Sequence, residues 1–296
     1  MRHLFVIMTI ALFLLFPSHG FTQVKEIVSE GAYNMGDGET PSVAESRALL
    51  NAKRVALEQA GTYVESYTKV ENIQVTKDEI QVLTSGIMEV EILDRKRTIV
   101  GDGFRFWVKI KSKVNPDKIQ EMANKIKAKD KSVVEDYKKI QEAYDKSQKD
   151  IEELKRQLAQ AKDKKVKEKV EAKITNEERL FQANEWLEKG NKHFINEGND
   201  AAIEAYTSAI ALNPNYADAY YNRGTAYHNK GQYDRTILDY NKAIALDPND
   251  AIAYHNRGAA YYMKGNMGRA LSDFQKACDM GNELGFKNLQ KVLQNR

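Results

Sequence analysis

Residues 104–114 alternate: Phe104, Phe106, Val108 and Ile110 share one face, and Arg105, Trp107, Lys109 and Lys111 share the other. A period of two predicts a half-buried strand. Its partner is residues 87–100, joined through the turn Gly101-Asp102-Gly103. The partner's apolar parity switches from Met88, Val90 and Ile92 to Leu93 and Ile99, which a β-bulge near Leu93-Asp94 explains. Upstream, residues 42–60 keep a helical period, with Leu50, Val55, Ala56, Leu57 and Ala60 on the apolar side. Thr40 or Ser42 can cap this helix, Ser42 with Glu45 makes a capping box, and Gly61 marks the expected stop. A shorter helix over 76–83 and an opening strand around 27–33 complete a small α+β domain, residues 21–115. Glu89 and Glu91 are expected to pair with the lysines of the neighbouring strand. The basic face around Trp107 reads as a solvated face rather than a nucleic-acid platform.

Residues 116–175 are dominated by Lys, Glu, Asp, Gln and Ala. Tyr137, Ile140, Tyr144, Ser147, Ile151, Leu154, Leu158 and Ala161 step by three and four, the spacing of a heptad seam. Ile119, Met122, Ile126 and Val133 obey the same rule with one stutter. The pattern predicts one long coiled-coil-like helix, about 80 Å from end to end at about 1.5 Å per residue. A helix this polar either pairs with copies of itself, making a homo-oligomer through residues 119–174, or stands as a solvated strut; self-association is the expectation.

From Ala183 the chain repeats with a period of 34 residues: units 183–216, 217–250 and 251–284, followed by a capping helix over 285–296. Thr175 with Glu178 makes a capping box that restarts the helix ahead of the first unit. Gly190, Gly224 and Gly258 are in register, as are Ala209, Ala243 and Ala277, and Tyr206, Tyr240 and Phe274. Pro214 and Pro248 close the first two units, and Asn282 stands at the third. An early aromatic, a glycine, an alanine, a second aromatic and a late proline at this period resemble the tetratricopeptide repeat family. The resemblance implies stacked antiparallel helix pairs, an all-α solenoid whose first helices line a concave groove. On that register the groove carries Asn191 and Phe194 from the first unit, and Tyr221, Asn222, Thr225 and His228 from the second. The third adds His255, Asn256 and Tyr262, with Leu187, Ile195, Asn229 and Ile252 beside them. One subset of the family clamps a terminal carboxylate between lysines, asparagines and an arginine. Asn191 and Asn222 match its asparagines, but Leu187 and Ile252 stand at its lysine positions and Asn256 at its arginine position. The groove is therefore expected to hold a less charged segment. Arg223 and Arg257, one residue off that register, are read as stems over the core with solvated heads.

Composition changes this picture little. The chain has 296 residues and a net charge of +3, without the basic concentration that nucleic-acid binding requires. Residues 1–20 change it more: Arg2 and His3 precede an apolar run ended by Pro17, and Ser18-His19-Gly20 fits a cleavage site. A cleaved signal peptide is expected, with a retained anchor as the alternative. No other apolar stretch has membrane length. Cys278, the one cysteine, rules out an intramolecular disulfide and reads as a core filler. Asn-Met-Gly-Asp-Gly-Glu at 34–39 lacks the lysine of a phosphate loop, and the histidines lack zinc spacing. No cofactor, metal or catalytic residue is expected.

The helix from Ala44 to Ala60, followed by a hairpin closing in Phe-Arg-Phe-Trp-Val-Lys-Ile-Lys, resembles amino-terminal domains of bacterial envelope lipoproteins and of a flagellar outer-ring protein. That resemblance implies envelope assembly. The expectation is an exported, periplasmic, non-enzymatic adaptor; a self-assembling envelope structural protein and a periplasmic enzyme are the alternatives.

Overall fold

The computed structural model describes residues 23–101, 103–128, 132–196 and 198–294. The expected signal peptide, Asp102 of the expected turn, and Asn295 and Arg296 of the expected cap lie outside them. The elements in order are β1 (Lys25–Met35), α1 (Pro41–Val70), α2 (Lys77–Ile87), β2 (Glu89–Val100), β3 (Gly103–Val114), α3 (Asp117–Ala128), α4 (Ser132–Gln160), α5 (Lys164–Ile195), α6 (Asn199–Leu212), α7 (Ala217–Asn229), α8 (Tyr233–Leu246), α9 (Ala251–Met263), α10 (Met267–Asp279) and α11 (Glu283–Gln294).

The strands form one antiparallel sheet in the order β1-β3-β2, with the register of β2 on β3 slipping between Ile92 and Asp94. Phe106, Val108 and Ile110 point to the core as their alternation predicts. The lysines of β3 reach the other neighbour, however. Lys111 pairs with Glu26 at 2.8 Å and Lys109 with Glu30 at 3.2 Å, both on β1, while Glu89 pairs with Lys118 of α3. Glu30 also accepts from the Trp107 indole, so carboxylates offset the basic face.

α1 crosses the sheet on a stripe of small residues: Ala44, Ala48, Ala52, Ala56 and Ala60, continued by Val64 and Thr68, all buried. Spacing by four makes a row inclined to the helix axis, which suits an oblique crossing. At the crossing a Cβ on Gly31 would stand 2.2 Å from the Ala52 amide nitrogen, so only glycine fits. The row includes Ala56 and Ala60 of the stripe expected, Leu50 and Leu57 are partly buried beside it, and Val55 is exposed. It also explains why the helix runs through Gly61 to Val70: burial of Val64 and Thr68 outweighs a glycine cost of about 1 kcal/mol. The Ser42–Glu45 capping box is not formed. The helix begins at Pro41 with Thr40 as N-cap, and Glu178 of α5 takes the Thr40 amide at 2.6 Å and its hydroxyl at 3.2 Å.

The region expected as one long helix is three. Ile119, Met122, Ile126 and Val133 belong to the core of the α+β domain. α4 and α5 fold back as an antiparallel hairpin, with Ile151, Leu154 and Leu158 against Val170 and Ile174, and Tyr144 against Phe181 at 5.4 Å. The chain itself supplies the partner that the heptad seam demanded, and the seam residues Ile140, Tyr144 and Ile151 are buried within it. No helix restarts at Thr175. α5 is continuous, Thr175 bonds back to the Glu171 carbonyl, and Glu178 is committed to Thr40.

A buried polar network pins this hairpin to the domain. Glu39, in the loop before α1, accepts from Tyr33 at 2.7 Å and from the Gly36 amide at 2.7 Å. Lys155 of α4 reaches the same carboxylate at 2.8 Å. Arg47, 1% exposed, donates to Ser147 and Gln148 of α4 and lies 4.4 Å from the Phe181 ring centroid. The loop that superficially resembled a phosphate site is thus an intramolecular socket.

Candidate functional site

The last four turns of α5 pair with α6, α7 with α8, and α9 with α10, and α11 covers the end through Val292 and Leu289. Each pair closes where a glycine meets a ring. A Cβ on Gly190 would stand 2.4 Å from Tyr206, on Gly224 2.9 Å from Tyr240, and on Gly258 2.9 Å from Phe274. Arg223 and Arg257 are not solvated stems. Each grips a buried aspartate sixteen residues on with two bonds, Arg223 to Asp239 at 2.7 and 2.8 Å, and Arg257 to Asp273 at 2.8 and 2.7 Å. The signal was present, since the Arg-to-Asp spacing recurs in both units; the first has Lys189 and Ala205 in those places.

Along the concave side runs a groove enclosing about 380 Å³. Seven of the nine residues expected there line it: Asn191, Phe194, Tyr221, Asn222, Thr225, His255 and Asn256. The other two lie elsewhere. His228 turns to α8 and meets Tyr233 edge-on at 5.4 Å, and Tyr262 packs with the cluster around Phe274. Ile252 and Leu284 line the groove while 45% and 47% exposed, leaving apolar surface open to an occupant.

The polar lining is already cross-linked. Asn256 donates to the Tyr221 hydroxyl at 2.8 Å and accepts from His255 Nδ1 at 3.1 Å, while Asn288 donates to His255 Nε2 at 2.8 Å. That chain fixes a neutral imidazole, and burial holds its pKa below the usual histidine value. Asn222 sends its amide to Asn191 at 3.1 Å and to Asp136 at 3.2 Å. Asp136 arrives from α4. Burial, then repulsion from Asp218, pushes its carboxyl up to about 7, against the opposing pull of Lys139 and Asn222. No feature of the repeat register announces this residue, because it lies outside the repeats.

A second cleft of about 510 Å³ separates α1, α2 and β2 from α4 and α5, and shares Val133, Asn191 and Ile195 with the groove. Its wall includes Glu185, whose carboxyl burial raises to about 7, and Lys192, which burial holds below the usual lysine range and which donates to the Met88 carbonyl at 2.9 Å. Although larger, it is the seam between the domain and the hairpin, whereas the groove is the surface that the repeats build.

A family model described as TPR repeat matches residues 190–231 and 226–265. Residues 190–265 are tetratricopeptide repeats. The TPR segment is 39% identical over 62 residues to human small glutamine-rich tetratricopeptide repeat-containing protein beta, covering 21% of this chain and 20% of that protein. The match therefore spans about a fifth of that relative's length. Among solved structures, the Arabidopsis OM64 TPR domain is 25% identical over 40% of this chain and 99% of its own, with a TM-score of 0.39. The first TPR of Spaghetti (RPAP3), solved with the HSP90 peptide SRMEEVD, is 29% identical over 38% of this chain and 92% of its own, with a TM-score of 0.38. Among the described residues no group of His, Cys, Asp and Glu could hold a metal, and no helix is long and apolar enough to cross a membrane.

Proposed function

We propose that this protein is an exported, non-enzymatic adaptor that holds a segment of another protein in its TPR groove, serving assembly of a bacterial cell envelope. The observation that carries the reading is the groove itself: an amide-lined concavity with Ile252 and Leu284 left exposed at its wall. Such a surface suits an extended or helical peptide. The amino-terminal apolar run supports export to the periplasm, and the resemblance of the α+β domain to envelope proteins supports the setting. The acidic mode of the peptide bound by RPAP3 is not carried over, because Leu187, Ile252 and Asn256 stand where cations would be needed.

A photo-crosslinking residue at Thr225 is expected to trap a second protein in cells, and the same residue at Leu238, exposed on α8, is not. Crosslinks from Thr225 only to further copies of this chain would sink the adaptor reading. Amino-terminal sequencing of the exported protein is expected to begin at Phe21; a start at Met1 would favour the retained anchor.

A further inference from the structure

Several of the groove's polar groups are engaged with one another. Both amide hydrogens of Asn222 are engaged by Asn191 and Asp136, one amide hydrogen of Asn256 goes to Tyr221, and the Asn191 oxygen accepts from Tyr206 at 2.8 Å. Among the described lining residues the one carboxyl group is that of Asp136, and His255 is held neutral. Around it stand Asp218 on α7, Asp250 at the N-cap of α9 and Lys139 on α4, with the tyrosines 206, 216 and 221 nearby. Lys139 is bound to Asp218 at 3.1 Å, so these three acids outnumber the base by two.

We infer that Asp136 sets the charge specificity of the groove: the segment held there carries a lysine or arginine beside apolar residues, and acidic segments are turned away. This rests on the groove-binding reading above. The cation meets the Asp136 carboxylate, and the apolar neighbours meet Ile252 and Leu284 along the same wall. Burial and the neighbouring acids keep this carboxylate reluctant to ionise, and a cation placed against it relieves that penalty. Complementary charge supports association, and like charge suppresses it. The arrangement assigns to α4, which lies outside the repeats, the choice of what the repeats hold.

The test is a positional-scanning library of decapeptides with acetylated and amidated ends, applied to the full chain and to its Asp136→Asn variant. The variant keeps an acceptor for Asn222, and an unchanged circular dichroism spectrum verifies its fold. Lys and Arg are expected to be enriched over Glu by about tenfold in the native protein. That preference should vanish in Asp136→Asn and reverse in Asp136→Lys. An equal preference for Glu and Lys, or one that survives in Asp136→Asn, overturns the inference. If binding then still depends on Asn222, the groove reading stands without it. Failure of every peptide to bind either protein removes both.

Discussion

Two joints hold this molecule together, and they are made differently. Inside the TPR array, the contact common to all three helix pairs is a glycine against a ring at Gly190–Tyr206, Gly224–Tyr240 and Gly258–Phe274, to which the second and third pairs add the repeated ion pairs Arg223–Asp239 and Arg257–Asp273. Between the α+β domain and the α4–α5 hairpin, apolar contacts such as Val43 with Ile140, Tyr144 and Phe181 surround a charged centre that has no repeat: Glu39 and Arg47 buried beside Tyr33, with half-buried Lys155 reaching in. A shape contact between small and flat groups weakens gradually as helices shift by a fraction of an ångström. A buried ion network tolerates no such shift and leaves a desolvated charge behind when one member is removed. The array is a stack that can be extended, and the socket is a lock with one key.

The sharpest way to break the comparison is at the lock. Glu39→Ala leaves Arg47 and Lys155 without their carboxylate and is expected to cost about 3–5 kcal/mol in urea unfolding. A loss below about 1 kcal/mol would show that the socket is held by packing alone. Within the array, Gly258→Ala drives a methyl to 2.9 Å from the Phe274 ring and is expected to cost about 1–3 kcal/mol, read from the thermal midpoint. A neutral outcome would mean that the helices can part, and that shape does not set their distance.

Smaller effects come from Asp136. Burial keeps the proton on Asp136 of the folded chain up to about pH 7, whereas an aspartate of the unfolded chain releases it near 3.8. Between these values the folded state binds more protons, so stability falls as pH rises from about 4 to about 7. Asp136→Asn removes this dependence and is expected to stabilise by about 1–2 kcal/mol at pH 8 and by almost nothing at pH 4, measured by urea titration at the two pH values. Smallest of all, Gly61→Ala, where a Cβ meets nothing within 4 Å inside a helix, should stabilise by about 0.5–1 kcal/mol.

The same contrast decides what could be read before folding. Gly224 and Tyr240 announce themselves because their spacing returns at Gly258 and Phe274, and repetition separates a structural rule from chance. The sheet was legible for a related reason: the alternation of β3 and the parity switch in β2 are local patterns that backbone geometry enforces. Glu39 and Lys155 stand 116 positions apart and meet once, and no periodicity links them. The heptad seam was legible as a demand for a partner, but the short break at 161–163 that let the chain supply it was not. Seven groove residues follow from register, whereas His228 meets Tyr233 of α8 and Tyr262 packs around Phe274, contacts that register alone does not resolve. Asp136 enters the groove only because the hairpin docks where it does.

Over Lys164–Ile195 one unbroken helix is first the returning arm of the hairpin and then the opening helix of the array. No linker separates the two, so the angular phase of the whole array is set by counting residues along a single rod. One residue inserted near Asn176 would turn everything after it by about 100° and advance it by about 1.5 Å, swinging Asn222 away from Asp136. Seven inserted residues would return the phase to within about 20° while carrying the groove about 10 Å away from its aspartate. The aim of the groove is thus written as an integer in the length of α5.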